Sequence, residues 1–430
     1  LQFKNIDYDP YDFPSKDIKH NEINRNNLVQ KIRSYFINLI QFISYKNDSY
    51  FFITSYIPRK KLFLLQMLLG QFPVFHRSKN INHIKPDISL RKRFLIKFDY
   101  SNDFESFLIS YLKYALPSIY CEGFGYLNEV VSSMSWPKNP KKIFTSNSFF
   151  SDEVFKKWTA DKVLQGSKYI IGQHGGGYAT KEFPQRTELH EQYSSDLWLS
   201  WGAFNDSRKS VLRATNLKLI GKKRFKKNLN NSLLLQITDD LFPYSRFPWC
   251  SDEFNKVYMD NQIKFAKTLS RKIQDSLTVR LHSNQSQLGI DQNHIWNKRA
   301  PKINIDQGYT SIDKLISKSR IIVSTYNSTS YLETLSLNIP TVMFWDIDKS
   351  PINKRAQPFF DLLLECDIFH TSPESASKHV SSIWENVYEW WDSDEVQDAR
   401  LVFCRNFSLQ ENQPILLLRN IISQKNIIDE

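Results

Sequence analysis

The sequence predicts an α/β protein with two Rossmann-like lobes and a central cleft between them. At 430 residues the chain is longer than single hydrophobic cores usually grow, so two domains are expected. Strand-type and helix-type segments alternate from about residue 141 onward, and the alternation restarts after a basic stretch at residues 221–230. Such alternation predicts parallel sheets that bind ligands at the carboxyl ends of their strands.

Short apolar runs indicate the strands, and longer amphipathic stretches indicate the helices. Strands are predicted at residues 50–56, 142–145, 169–172, 197–201, 232–237, 277–282, 321–325 and 341–345. Helices are predicted at residues 28–43, 104–116, 151–166, 252–274, 312–318 and 328–337, with a Trp-rich helical region at 372–407. Ser151 is predicted to cap the helix that begins there, and Gly166 to end it.

The basic stretch divides the chain. We predict an N-terminal lobe at residues 1–220, a linker at 221–230, a C-terminal lobe at 231–407 and a C-terminal tail at 408–430. Residues 1–140 carry no chemistry-bearing motif. The N-terminal lobe is therefore predicted mainly from the strand and helix pattern that begins at about residue 141.

The charge balance predicts an anionic partner. The formal net charge is +12, which suits a nucleic acid, a phosphate-bearing substrate or an anionic membrane surface. The chain contains no nucleic-acid-binding module, so we predict no nucleic-acid partner. No apolar run is long enough for a membrane span, and residues 1–10 do not resemble a secretory signal. A cytoplasmic protein is expected.

The four cysteines lie far apart and form no C-x-x-C pair. This spacing is typical of reduced structural thiols, and the nine histidines do not cluster with them in sequence. We therefore predict no metal site.

The first motif is a glycine-rich loop, Gln173-His174-Gly175-Gly176-Gly177-Tyr178, in a chain with only 12 glycines. Consecutive glycines after a strand leave backbone N–H groups open and allow a ligand to approach the main chain. His174 could donate to a phosphate or transfer a proton. A tight turn with an incidental histidine is the alternative.

Two carboxylates follow this loop, at Glu188 and Glu191. Either could act as a general acid or base for a hydroxyl acceptor. When either residue is considered alone, a solvated charged turn explains it better.

The second motif places hydroxyls between a predicted strand and a predicted helix. Such groups, together with the free N–H groups of a helix N-terminus, form an anion site suited to a phosphate. The candidates are Ser324, Thr325, Asn327, Ser328 and Thr329. Glu333, one turn further on, could accept hydrogen bonds from a ribose. Simple N-capping by Ser328 is the alternative, but it needs only one hydroxyl.

Two smaller motifs follow strands of the C-terminal lobe. Asp239 and Asp240 are candidates for a base or a carboxylate nucleophile, with a turn as the alternative. Arg280 and His282 would point to the same face of a strand and could meet a phosphate, with an ordinary surface position at a strand edge as the alternative.

Together, these segments resemble a family of transferases from bacterial surface-carbohydrate (O-antigen) biosynthesis. The resemblance covers about residues 141–407 and is specific in its order and spacing. The matching residues are Thr145–Ser148, Ser151, Asp152, Phe155, Lys156, Trp158, Gly172–Tyr178, Glu188, His190, Glu191, Ser195, Asp196, Trp201, Gly202, Ser324–Thr329, Tyr331–Thr334, Ile339–Thr341, Ser372–Ala376, Trp390 and Trp391.

The C-terminal lobe also resembles, more loosely, GT-B transferases that use CMP-sugars, such as bacterial sialyltransferases and retaining β-Kdo transferases. Leu241 and Ser283 stand where those enzymes tend to carry Gly and Pro. The resemblance implies that one acid of the pair at 239–240 is the catalytic carboxylate. It also implies that His282 and residues 324–329 hold the CMP phosphate, and that Glu333 binds the nucleotide ribose.

The motifs and resemblances predict a GT-B-like glycosyltransferase of surface-polysaccharide biosynthesis (O-antigen, capsule or lipopolysaccharide). The C-terminal lobe would bind the nucleotide sugar, a CMP-sugar of Kdo or a related acid. The N-terminal lobe would bind a saccharide or lipid-linked acceptor. No metal or other cofactor is expected. Peripheral contact with the anionic inner membrane is expected. The alternatives are a CDP-polyol phosphotransferase of the teichoic-acid type and a non-enzymatic basic scaffold that binds anionic lipid.

Overall fold

The computed structural model describes residues 49–95, 102–182, 186–202, 210–223, 227, 232–239, 241, 252–282 and 290–424. The predicted helix at residues 28–43, part of the predicted linker, Asp240 and Ser283 lie outside the described residues.

The first lobe contains a parallel sheet whose described strands are arranged in sequence order. They are β1 (Tyr50–Ile53), β2 (Lys142–Thr145), β3 (Lys168–Gly172), β4 (Leu197–Ser200) and β5 (Val211–Arg213). The described helices of this part of the chain are α1 (Arg59–Leu68), α2 (Ile88–Leu95), α3 (Asp103–Ala115), α4 (Phe124–Ser132), α5 (Ser148–Ser151), α6 (Glu153–Leu164) and α7 (Arg186–Ser194). Strands β2 and β4 are buried along their whole length, which is why they read as unbroken apolar runs.

The second lobe contains a second parallel sheet with the order β11-β10-β9-β6-β7-β8. Its strands are β6 (Leu233–Ile237), β7 (Leu277–Arg280), β8 (Asn304–Asp306), β9 (Ser319–Ser324), β10 (Thr341–Phe344) and β11 (Phe369–His370). Its described helices are α8 (Asp252–Thr268), α9 (Arg271–Gln274), α10 (Gln292–Arg299), α11 (Ile312–Ile316), α12 (Thr329–Ser336), α13 (Gln357–Glu365), α14 (Pro373–Ile383), α15 (Val387–Trp391) and α16 (Asp394–Phe407). The predicted pair of parallel α/β lobes is confirmed.

The order of this second sheet reverses between β6 and β9. From β6 the chain adds β7 and β8 on one side, and then returns to add β9, β10 and β11 on the other. In parallel α/β sheets the crevice at such a reversal is the usual ligand position. The residues that follow β6 and β9 therefore have the most favoured position for binding a ligand in this lobe.

Several predicted boundaries are corrected. Asp152, rather than Ser151, caps α6, because its side chain accepts a hydrogen bond from the Phe155 N–H while Ser151 belongs to α5. The predicted helix at 252–274 is two helices, because Ser270 adopts an extended backbone conformation between α8 and α9. Strand β7 ends at Arg280, two residues earlier than predicted.

The last described helix, α17 (Pro414–Ser423), packs in the first lobe. Leu418 is buried in the same cluster as Leu65 of α1 and Leu199 of β4. Within the region predicted as a tail, the chain therefore returns from the second lobe to the core of the first. Among the described residues, no helix combines the length and the apolar composition needed to cross a bilayer.

Candidate functional site

The glycine-rich loop and the hydroxyl segment touch each other. The Gly176 N–H donates to the Thr329 hydroxyl at 2.8 Å, so the loop after β3 meets the first residue of α12. A Cβ added at Gly176 would lie 2.3 Å from the Ser328 carbonyl oxygen, and one at Gly175 would lie 3.2 Å from the Thr329 hydroxyl. The glycines thus allow two backbones to approach closely. A ligand held by both segments has to lie beside this contact.

A hydrogen-bonded relay connects His174 and Tyr178 of the loop to Glu191 on α7. The Tyr178 hydroxyl is 2.6 Å from Oε1 of Glu191 and 2.7 Å from Nδ1 of His174. If Glu191 is ionised, it can only accept, so Tyr178 donates its one proton there and accepts from His174. That assignment puts the histidine proton on Nδ1 and leaves Nε2 as an acceptor.

The carboxylate at the base of this relay is fully buried and well satisfied. Glu191 is 0% exposed, and its Oε2 also accepts from the Trp198 indole N–H at 3.1 Å. Nδ1 of His174 lies 3.5 Å from Oε1 of Glu191, and the His174 side chain retains 21% exposure. Glu191 therefore holds the imidazole in place from the buried side. Glu191 itself does not face solvent, whereas the His174 side chain is partly exposed.

The structure also places three other predicted residues of this lobe. Gln173 accepts from the Trp201 N–H and donates to the Gly175 carbonyl, both at 2.8 Å, so its side chain braces the glycine loop. Gly177 has φ +88°, in the left-handed region that favours glycine. Glu188 is buried on α7, near the N-terminus of that helix.

Most of the hydroxyl segment is occupied by protein contacts. Ser324 bonds Ser330 at 2.6 Å, and the Thr325 hydroxyl donates to the Ile237 carbonyl at 2.9 Å. The Asn327 side chain accepts from the hydroxyl of Thr180 at 2.9 Å and donates to that residue's carbonyl at 3.1 Å. Contacts between strands and between lobes thus account for several polar groups that the sequence left unexplained.

The start of α12 departs from the simple capping expected of it. Ser328 occupies the N-cap position, yet its side chain makes no capping hydrogen bond. Glu333 forms an ion pair with Lys218 of the first lobe at 2.8 Å. Lys218 in turn lies over the ring of Tyr56, 5.8 Å from its centroid. Glu333 therefore already has a cationic partner at the junction of the lobes.

Tyr258 connects the two segments at the reversal of the second sheet. Its hydroxyl accepts from the Asp239 N–H at 2.7 Å and lies 2.9 Å from the Thr325 hydroxyl. Burial, and next the nearby Asp239 charge, raise the pKa of Tyr258, so this phenol stays protonated. Gln292 donates to the Asp239 carbonyl at 2.9 Å. The first acid of the predicted pair is thus positioned beside the end of β9.

Arg280 ends the neighbouring strand β7, and His282 lies two residues beyond it. Arg280 pairs in register with Ile237, the last residue of β6, so it belongs to the same sheet edge as Asp239. Its guanidinium reaches the Thr310 carbonyl at 3.4 Å, while its buried Nε has no hydrogen-bond partner among the described residues. His282 is exposed just beyond the strand.

The predicted residues therefore form two groups. Loop 173–178, which Glu191 contacts through Tyr178, meets the N-terminus of α12 across the lobe junction. Asp239 meets Thr325 through Tyr258. Sequence reasoning did not assign roles to Tyr178, Tyr258 or Lys218. The spacing of His174 and Tyr178 within one motif could have suggested a role for Tyr178. No sequence signal points to Tyr258 or Lys218.

Two parallel α/β lobes joined at the carboxyl ends of their strands define a GT-B-like fold. Residues 4–422 match the model of the LIC12162 family of transferases. The chain belongs to this family.

The solved structures to which this chain is similar include Acinetobacter baumannii MurG, with 8% identity, a TM-score of 0.39, and coverage of 87% of this chain and 99% of that one. A Listeria monocytogenes protein assigned as a UDP-N-acetylglucosamine 2-epimerase is similar at 12% identity and TM-score 0.45, covering 87% and 93%. WaaG, a glycosyltransferase involved in lipopolysaccharide biosynthesis, is similar at 11% identity and TM-score 0.31, covering 87% and 99%. No match was found among curated proteins.

Proposed function

We propose that this transferase is a glycosyltransferase of bacterial surface-polysaccharide biosynthesis. It transfers Kdo or a related acidic sugar from a CMP-sugar to a saccharide hydroxyl. The observation that carries the proposal is the contact between the His174 loop and the N-terminus of α12. It joins a candidate base in one lobe to a candidate anion site in the other.

On the donor side, the first N–H groups of α12 and the Ser328 hydroxyl bind the nucleotide phosphate. The positive end of a helix stabilises an anion, and it also stabilises the charge that develops when the nucleotide leaves. Arg280 belongs to the same sheet edge and adds a fixed positive charge. The net charge of +12 favours the approach of such an anionic donor.

On the acceptor side, Nε2 of His174 takes the proton of the attacking hydroxyl. The relay through Tyr178 to Glu191 supports this role, because it holds the other ring nitrogen as the donor. Glu191 then stabilises the imidazolium that forms. His174 is thus the general base of the proposed reaction, and Glu191 is a positioning residue.

The route we propose retains the anomeric configuration. A carboxylate oxygen of Asp239 or Asp240 attacks the anomeric carbon while the bond to the phosphate oxygen breaks and CMP leaves. The acceptor oxygen then attacks the same carbon, His174 takes its proton, and the bond to the carboxylate breaks. Neither step needs a metal or another cofactor. Asp239→Asn and Asp240→Asn, made separately, test this assignment; full activity in both variants contradicts it.

The donor is tested by measuring thermal unfolding with CMP, CDP, UDP and GDP. We expect CMP to raise the unfolding temperature selectively, because it binds only the folded chain. Ser328→Ala should reduce this shift, whereas Ser423→Ala, at an exposed position on α17, should leave it unchanged. Stabilisation by UDP or GDP alone contradicts the proposed donor.

The reaction is tested by product analysis with CMP-Kdo and a lipopolysaccharide-core acceptor. A new glycosidic bond of retained configuration, seen by NMR, is expected. An inverted bond contradicts the covalent route, and a phosphodiester product contradicts glycosyl transfer altogether.

We further propose that the first lobe contacts the anionic inner membrane, where lipid-linked acceptors reside. Helix α3 supports this proposal, because it carries strongly exposed aromatic side chains. Phe104 is 68% exposed, Phe107 65%, Tyr111 56% and Tyr114 57%. Aromatic rings of this kind are suited to the interface between lipid head groups and acyl chains.

A further inference from the structure

Two histidines and an aspartate converge at the edge of the second sheet, on elements that the proposed transfer does not use. Asp367 precedes β11, His370 ends it, and His379 lies on α14. Each offers one ligand atom, and these atoms lie within 4.8 Å of one another. In a tetrahedral zinc site, ligand atoms lie roughly 3.4 Å apart, so a small closure would bring them around one ion.

The hydrogen bonds of His370 assign its ring nitrogens. Nε2 lies 3.0 Å from the Asp367 carbonyl, which only accepts, so Nε2 carries the proton in the neutral ring. Nδ1 then has a lone pair, which accepts from the Ser375 hydroxyl at 2.7 Å. An imidazole whose N–H is fixed by a backbone carbonyl is the usual arrangement of a histidine ligand.

His379 presents its Nδ1 to the same point. This atom lies 3.8 Å from Oδ2 of Asp367, and the His379 side chain is only 10% exposed. Its Nε2 is enclosed and has no hydrogen-bond partner among the described residues. The ring packs on Trp390 with 4.8 Å between centroids, which fixes its plane.

The surroundings leave room for an ion beside the two imidazoles. His370 and His379 line a cavity of about 550 Å³ together with Ser375 and Lys378. The Lys378 charge opposes a cation, whereas the Asp367 carboxylate supplies the matching negative charge.

We propose that Asp367, His370 and His379 form a binding site for a divalent transition-metal ion such as Zn²⁺. Two imidazole nitrogens and one carboxylate suit this class of ion, and water from the cavity completes the coordination. The ion would join the edge strand β11 to α14. Its role is to hold this part of the second lobe together, and it is separate from the proposed transfer chemistry.

The test uses the full chain after removal of metal with EDTA, with Zn²⁺ and Co²⁺ as probes. Zn²⁺ should raise the unfolding temperature by at least about 2 °C. Co²⁺ should give the visible absorption of a four-coordinate site with nitrogen and oxygen ligands. Absence of both signals, or a thiolate charge-transfer band that assigns the ion to cysteine, would overturn the proposal.

Asp367→Asn is the sharpest variant. The backbone of Asp367 has φ +56°, a conformation that Asn also tolerates, so the change removes charge with little strain. It should weaken Zn²⁺ binding at least tenfold, as should His379→Gln. The control is His83→Gln, which changes an exposed histidine outside the cluster and should bind Zn²⁺ like the parent chain. Equal binding by D367N, H379Q and the control contradicts the site.

Discussion

At Gly176 the backbone of the first lobe lies against the backbone of the second. A Cβ there would lie 2.3 Å from the Ser328 carbonyl oxygen and 2.7 Å from the Thr329 nitrogen, and neither is the end of a flexible side chain. Gly176→Ala should therefore move the lobes apart at this point. We expect a loss of about 1–3 kcal/mol in the free energy of unfolding, together with loss of the proposed transfer activity.

The matched control for this change is Gly125→Ala. Gly125 lies in α4 with nothing within 4 Å of its added Cβ. Alanine is a better helix former than glycine, so this variant should gain up to about 1 kcal/mol. Urea unfolding of both variants measures the difference, and a Gly176→Ala variant as stable as the parent would show that the lobes do not depend on this contact.

His76 makes the stability of the first lobe depend on pH. Its ring stacks on Phe51 with centroids 4.4 Å apart, and burial lowers its pKa from 6.5 to about 3. Between these two values the unfolded chain binds a proton that the folded chain does not. Stability from this residue is therefore complete above pH 6.5 and is lost as the pH falls toward 3, by up to about 1.4 kcal/mol per pH unit.

The variant that tests this pH dependence is His76→Phe, which preserves an aromatic ring on Phe51. Its free energy of unfolding should fall less steeply than that of the parent between pH 6.5 and pH 4.5. Denaturant titrations at several pH values give the two slopes, and parallel slopes would assign the acid sensitivity to other groups.

At this scale the sequence predicted residue types better than it predicted contacts. The triplet Gly175–Gly177 stood out because the chain is poor in glycine, and the loop does lie at a strand end. However, its partner on α12 is more than 150 positions away in the chain, and local patterns contain no information about such a pair. The hydroxyls of residues 324–329 were predicted to bind a phosphate. In the structure Thr329 accepts a hydrogen bond from the first lobe, and the hydroxyls of Ser324 and Thr325 make hydrogen bonds within the second lobe.

Among the elements, α17 makes the most distant connection. It follows the helices of the second lobe in the chain but contributes Leu418 to the core of the first, where this side chain is 0% exposed. Leu418→Ala should cost about 2–5 kcal/mol, because it leaves a cavity in a closed core.

The same helix provides the control for this element. Leu416 is 45% exposed, so Leu416→Ala should change the free energy of unfolding by less than about 0.5 kcal/mol. Chemical denaturation distinguishes the two variants. If they were equally stable, the packing of α17 on the first lobe would contribute little to the fold.

Element types followed from the sequence because parallel strands buried on both faces read as short apolar runs. Strand β2 was predicted at its observed bounds for this reason. Element ends were less predictable because they depend on caps and on neighbouring strands. The two acids at 152–153 did not reveal which residue caps α6, and β7 ends where its pairing with β8 ends, at Arg280 and Asp306. The proposed metal cluster has no signal in the local sequence because its three candidate ligands are spread over a turn, a strand and a helix.

For the whole molecule, the proposed membrane contact gives the net charge of +12 and the exposed aromatic rings of α3 the same anionic partner. Basic charge would attract the chain to anionic vesicles, and ring insertion would then hold it there. We expect co-sedimentation with vesicles rich in phosphatidylglycerol but not with pure phosphatidylcholine. Because salt screens the attraction over about 10 Å at 0.1 M, binding should weaken as salt is added.

Phe107→Ser separates the ring contribution from the charge. Phe107 is 65% exposed on α3, and loss of about 1 kcal/mol of interfacial burial should reduce vesicle binding about fivefold. Tyr309→Ser is the control, because Tyr309 is 83% exposed in the second lobe, in a segment between β8 and α11. Both variants keep the same net charge, so equal loss of binding would show that exposed rings contribute without regard to position. Equal retention would leave electrostatic attraction as the source of binding, and the proposed insertion of α3 would be wrong.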